Sequence, residues 1–175
     1  MTTFGKTLGT SVAVLLLASG IATVAQGQVS GVRQGGDMPE LNDLNQQVIR
    51  EFRANQGKVG GRYANRPLLL LTMTGAKSGR TLTRPLAYTT DGDRIVVIAS
   101  FGGGPKNPSW YHNLIANPVA TVELGSERFR VRAAVTAGEE RQRLFNRQAA
   151  QMPIFAEYQQ KTTRQIPVLV LTRID

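Results

Sequence analysis

The sequence has no cysteine and a single histidine, His112. The first absence excludes disulfides, thiolate zinc sites and cysteine nucleophiles; the second leaves a histidine-based metal centre without ligands, so no metal is expected. Aromatic residues make up only 6% of the 175 positions. Carboxylates are also scarce, 12 against 21 lysines and arginines, for a net charge of +9. The shortage is sharpest between Phe52 and Thr90, where Arg53, Lys58, Arg62, Arg66, Lys77, Arg80 and Arg84 face no acidic residue in the sequence. Such a stretch suits an anionic partner: nucleic acid, an anionic membrane or a polyanionic small molecule. Nucleic acid is the poorest fit, because stacking needs aromatics interleaved with cations and this stretch offers only Phe52, Tyr63 and Tyr88.

One long apolar run exists, residues 8–25 (LGTSVAVLLLASGIATVA). It follows Lys6 and ends in Thr23-Val24-Ala25, a pattern of a secretory signal cleaved after Ala25. Its Gly, Ser and Thr content falls short of a membrane span, and no twin arginine precedes it. A start at Met38 is the alternative, since Gly35-Gly36-Asp37 would be encoded by purine-rich codons resembling a ribosome-binding site. Either way residues 26–37 form a linker, so 1–37 is leader and 38–175 the domain.

Within that domain, residues 41–55 place Leu41, Leu44, Val48, Ile49 and Phe52 on one helical face, stopped by Gly57. Strand-like runs follow at 67–74, 83–90, 93–100, 118–124, 127–135 and 166–172, with hairpin turns at Thr90–Asp93 and Gly125-Ser126. Helices are expected at about 108–116 and 138–150, the first with an Asn107 cap and Pro108 at its first position. Six short, mostly antiparallel strands with few helices predict a mainly β fold with α decoration: a six-stranded β-barrel behind an N-terminal amphipathic helix.

Two loops carry candidate chemistry. Gly75-Ala76-Lys77-Ser78-Gly79-Arg80 offers glycines for close backbone approach, two cations and a hydroxyl, either as an anion cradle or as an ordinary solvated turn. It is no nucleotide P-loop: Leu70 stands where the first glycine belongs and no helix clearly follows. Ser100-Phe101-Gly102-Gly103-Gly104 runs through Asn107-Pro108-Ser109 into Trp110 and Tyr111, where a helix start and two aromatics suit an anion or a flat ring, or simply a core. No serine sits in a nucleophile-elbow setting, and His112 reads as structural or as a pocket rim. Asp91/Asp93 and Glu139/Glu140 read as turn and cap residues. A site without acid–base or nucleophilic apparatus fits redox chemistry carried by a cofactor. Phe155 and Tyr158 share a helical face, as core or as a pocket wall with the Tyr158 phenol aimed at a substrate oxygen.

Together these residues resemble the deazaflavin-dependent nitroreductase and quinone reductase family, a branch of the split-β-barrel flavin-binding superfamily. The resemblance runs in order over about residues 41–173. It is carried by Asn45–Ile49, Glu51–Arg53, Gly57–Gly61, Leu69–Thr72, Thr74-Gly75, Lys77–Arg80, Asn107-Pro108, Trp110–Leu114, Ala116–Pro118, Glu157–Gln159 and Arg164–Val168.

The resemblance implies reduced coenzyme F-420 as cofactor, with FMN a poorer fit, and a quinone, nitroaromatic or similar lipophilic acceptor. A protein that binds FMN or another ligand, or carries a cofactor without turnover, is the alternative. The F-420 tail of phosphate, lactate and glutamates would match the carboxylate-free stretch. By the same resemblance Ala76, Lys77, Ser78, Gly79, Arg80, Thr83, Arg84, Pro85 and Leu86 hold the tail. Ser100, Phe101, Gly102, Gly103, Asn107, Ser109, Trp110, Tyr111, His112 and Asn113 line the ring, Phe155 and Tyr158 border the acceptor, and Tyr158 is catalytic. Family members often have basic residues at the positions of Leu82 and Phe101, and tyrosines at those of Ala87, Met152 and Phe155. This chain's apolar choices favour lipophilic quinones. The expected location is the cytoplasm or inner membrane face, with surface association, while the signal-like N-terminus leaves export open.

Overall fold

The structure, a computed structural model, describes residues 39–175, excepting the side chains of residues 39–41 and 62. The expected leader and linker over 1–37, and the Leu41 side chain, lie outside the described residues.

The chain opens with α1 (Pro39–Ala54), then β1 (Leu68–Thr74), β2 (Thr81–Asp91) and β3 (Arg94–Ile98). Next come α2 (Ser109–Ala116), β4 (Val119–Leu124), β5 (Glu127–Val135), α3 (Gly138–Gln151), α4 (Ile154–Gln160) and β6 (Val168–Arg173). The six strands close into an antiparallel barrel in the order β1-β2-β3-β6-β5-β4. Both sequence-predicted hairpins form: Asp91 pairs Arg94 around Gly92 (φ +59), and Leu124 pairs Glu127 around Gly125 (φ +61). Each puts glycine where the backbone turns left-handed.

The unbroken apolar run of β1 is explained by burial on both faces. Leu69, Leu71 and Met73 point into the barrel with Val97, Val122, Val131, Leu169 and Leu171. Leu68 and Leu70 instead meet Val48, Ile49 and Phe52 of α1. The same alternation divides β3 and β6: Val96, Ile98, Val168 and Val170 pack beneath Leu144, Phe145 and Phe155 of α3 and α4. Each fully buried aliphatic side chain contributes roughly 1.5–3 kcal/mol relative to exposure.

The position of the site follows from the β2 register. Over Leu68–Thr74 opposite Thr81–Ala87, β2 pairs with β1; β3 joins it only from Tyr88 to Asp91. The first half of β2 therefore has one edge without a strand, which also accommodates Pro85 and its missing N–H.

Three expectations need correction. α2 starts at Ser109, with Pro108 outside it in an extended conformation (ψ 155) and no side-chain cap; Asn107 Oδ1 instead accepts from Arg164 Nη1 at 2.6 Å. β6 begins at Val168, because the Ile166 carbonyl is taken by Arg141 Nε and Nη2. The helical face shared by Phe155 and Tyr158 belongs to a helix of its own, α4, beyond the three helices expected from the sequence.

Candidate functional site

Along the open edge of β2 lies a cavity of about 260 Å³. β2 contributes Arg84, Pro85, Leu86 and Ala87, and β3 contributes Ile98. The following loop and α2 supply Ser100, Phe101, Pro108, Ser109 and Trp110, while α4 and its approach supply Met152, Ile154, Phe155 and Tyr158. Asn45 of α1, with Tyr63 and Arg66 beyond it, completes the wall. Apolar and aromatic groups dominate, and among the described residues the only charged ones in the wall are Arg66 and Arg84, with no carboxylate. That donor set fits a flat, largely apolar ring bearing an anionic extension.

Trp110 belongs to the barrel core and also faces the cavity, so both of its readings hold. Phe155 is buried against Val96 and Ile98 and meets Tyr158 edge-on, with ring centres 5.9 Å apart. The half-buried Tyr158 hydroxyl has no hydrogen-bond partner among the described residues, so it can serve a ligand oxygen.

The basic turn between β1 and β2 closes on itself: Gly75 N donates to Arg80 O at 2.8 Å and Gly79 N to Gly75 O at 2.9 Å. Ser78 Oγ accepts from Arg80 N, and Gly79 is left-handed (φ +64). Ala76 N donates to Asn113 Oδ1 at 3.0 Å, which ties the turn to α2 one helical turn beyond Ser109. The Ala76 amide is thereby spent, whereas those of Lys77 and Ser78 meet no protein acceptor among the described residues. Lys77 and Arg80 are exposed and, among the described residues, unpaired. Arg53 differs. Glu123 of β4 accepts from its Nε at 2.8 Å and Nη2 at 2.6 Å, supplying from elsewhere in the chain a carboxylate that the local sequence lacks. That pairing holds the Glu123 carboxyl below its ordinary range.

The structure thus brings Arg84, Pro85, Leu86, Ser100, Phe101, Ser109, Trp110, Phe155 and Tyr158 into one cavity wall. Ala76, Lys77, Ser78, Gly79 and Arg80 stand outside it on the adjoining turn, and Thr83 hydrogen-bonds Thr72 across the ladder. Gly102 and Gly103 follow Phe101 outside the wall, Tyr111 and His112 meet edge-on with ring centres 5.3 Å apart, and Asn107 and Asn113 hold loops in place. Asn45, Tyr63, Ile98 and Pro108 are wall residues that the sequence did not single out. Asn45 did carry a signal, being a polar residue set beside Val48 and Ile49 on the buried face of α1. Among the described residues no group of His, Asp and Glu could hold a metal, and no helix is long and apolar enough to cross a membrane.

A second cavity of about 230 Å³ is lined by Thr90, Asp93, Ile95, Leu124, Glu127, Phe129, Leu171 and Arg173. It shares no residue with the first.

Comparison with known proteins agrees with this geometry. A family model described as F420H(2)-dependent quinone reductase matches residues 44–173. An F420H(2)-dependent quinone reductase of Mycobacterium tuberculosis is 39% identical over 128 residues, covering 70% of this chain and 85% of the relative. A solved F420-H2 dependent reductase, FDR-A, is 40% identical, with 64% of this chain and 99% of that one aligned at a TM-score of 0.57. The heme storage protein HutZ from Vibrio cholerae, at 15% identity, 73% and 88% coverage and a TM-score of 0.50, shares the fold alone. The expected barrel and the expected deazaflavin-dependent family are both borne out, and the chain belongs to the F420H(2)-dependent quinone reductase family.

Proposed function

We propose that residues 38–175 reduce a lipophilic quinone at the expense of reduced coenzyme F-420, in the cavity beside β2. The observation that carries this reading is a carboxylate-free wall combining Arg66 and Arg84 with Trp110, Leu86, Met152 and Phe155, next to the unpaired cations of the β1–β2 turn. When bound, the cofactor supplies a hydride, and the quinone becomes a hydroquinone with one proton taken from solvent.

The chain's own residues bind, orient and exclude water. Lys77, Ser78 and Arg80, with the Lys77 and Ser78 amides, attract and hold the phosphate and tail, helped by Thr83 to Leu86. Ser100 to Gly103, Ser109 and Trp110 flank the ring, backed by Asn107 and the Tyr111 to Asn113 turn of α2. Met152, Ile154 and Phe155 make an apolar, water-poor wall for the acceptor. The Tyr158 hydroxyl donates a hydrogen bond to the acceptor oxygen on which negative charge grows. Apolar Met152 and Phe155 favour quinones over nitroaromatics.

The test is a fluorescence titration of the full chain with F-420 and, separately, with FMN. F-420 should bind with Kd below roughly 100 μM and FMN more weakly. Absence of F-420 binding in that range, or tighter FMN binding, contradicts the proposal.

A further inference from the structure

Between Ala99 and Pro108 the chain makes an expensive loop. Phe101, Gly102 and Gly103 are successively left-handed (φ +48, +64 and +81). The glycines adopt such angles freely; Phe101 does not. Phe101 is 54% exposed and lines the cavity, so burial does not hold it there; the turn itself closes through Gly103 N donating to Ser100 O and Gly104 N to Phe101 O, both at 3.0 Å.

Arg164, in the connection between α4 and β6, clamps this turn from both sides. Its Nε donates to Gly104 O at 2.9 Å, Nη1 to Asn107 Oδ1 at 2.6 Å, and Nη2 to Ser100 O at 2.8 Å and Ala99 O at 3.2 Å. Two acceptors precede Phe101 and two follow it. All are neutral, and burial pushes the guanidinium's pKa down, yet arginine stays charged and every bond is charge-assisted.

The clamp is itself braced. Gln159 Nε2 donates to Arg164 O at 2.8 Å, while Gln159 Oε1 accepts from Ile166 N and from the buried Arg141. The loop also seats on α4: a Cβ added to Gly103 would lie 2.7 Å from Tyr158 O. Arg164 thus holds the segment carrying Ser100 and Phe101, while Gly103 seats the same loop against Tyr158, the third of these cavity-wall residues.

We infer that Arg164 is a positioning residue of the reductase, whose guanidinium helps hold Phe101, beside Ser100 in the cavity wall, in its left-handed conformation and so sets how tightly the cofactor is bound. This rests on the functional reading above.

The experiment is a double-mutant cycle on the full chain with Arg164→Met, Phe101→Gly and the combination, plus Arg164→Lys. It measures Kd for F-420 by fluorescence, and KM and kcat with reduced F-420 and menadione. In the wild-type background Arg164→Met should raise Kd and KM about tenfold with kcat changed less than about threefold, and Arg164→Lys should recover part of the loss. With glycine at position 101 the loop no longer needs forcing, and Arg164→Met should then cost under about twofold. Should Arg164→Met not fold, the same cycle with Arg164→Lys decides. An equal factor in both backgrounds, or no loss in either, overturns the inference while leaving the function intact. A wild-type protein that does not bind F-420 overturns the functional reading and this inference with it.

Discussion

Tyr158 carries its phenol on α4 between the Phe155 ring and the Lys161 ammonium, which lies 5.7 Å from its ring centre. Its ring is thus fixed while its hydroxyl stays available, the arrangement expected of a group that acts on a ligand. Tyr158→Phe keeps the ring packing and removes one donor, so kcat with a quinone should fall roughly tenfold, about 1.4 kcal/mol, with F-420 affinity within about twofold. Steady-state kinetics beside a fluorescence titration checks this; an unchanged kcat would remove Tyr158 from catalysis. At this scale the sequence was most informative about residue type. Trp110 could be singled out because it opens a helix beside a glycine loop, and Tyr158 because it shares a helical face with Phe155 and carries a polar tip. The partners of Asn107, Asn113 and Arg164 were invisible, since each is recruited from dozens of residues away in the chain.

At the scale of elements, the β1–β2 turn and the β2–β3 hairpin use charge in opposite ways. Lys77 and Arg80 stay exposed and unpaired among the described residues, so their field reaches solvent. Lys77→Ala should weaken F-420 binding several-fold and flatten its dependence on salt, because a screened attraction is lost. Titrations at low and high ionic strength test it, and an unchanged affinity would take the turn out of the site. At the other hairpin, Asp91 accepts from Arg94, from Arg143 at 2.8 and 3.0 Å, and from Arg147 at 3.1 Å, stitching the turn to α3. The hydrogen bonds from Arg143 and Arg94 hold its carboxyl far below the usual carboxylate range. A depressed folded-state pKa stabilises above the unfolded value, about 4, and that contribution disappears as pH falls through the folded one. Asp91→Asn should therefore lower Tm near pH 7, and the gap to wild type should narrow as pH drops below about 4. A gap independent of pH in thermal melts would contradict this. Element types were legible because β1, β3 and β6 alternate between two buried layers and α1 carries a single apolar stripe. Ends were less so: α2 and β6 each start where a distant arginine takes the preceding group.

For the molecule as a whole, barrel closure and the cavity come from the same register. β2 is shared between two neighbours, and only its second half meets β3, so the ring closes while one edge stays free for a ligand. The +9 charge gains direction from this arrangement, since Arg53 is neutralised by Glu123 and Asp91 collects three arginines, whereas Arg66, Lys77 and Arg80 remain uncompensated among the described residues near the cavity. The barrel class was readable from strand number and turn chemistry. The site's enclosure was not, because it depends on where β3 stops pairing.

The most direct measurement mixes the full chain anaerobically with reduced F-420 and menadione and follows the return of oxidised-cofactor fluorescence, with NADH and reduced FMN as alternative donors. The account predicts saturable, protein-dependent oxidation of reduced F-420, at least about a hundredfold above the uncatalysed rate and faster than with either other donor. A rate no higher than without protein, or a preference for NADH or reduced FMN, would contradict it.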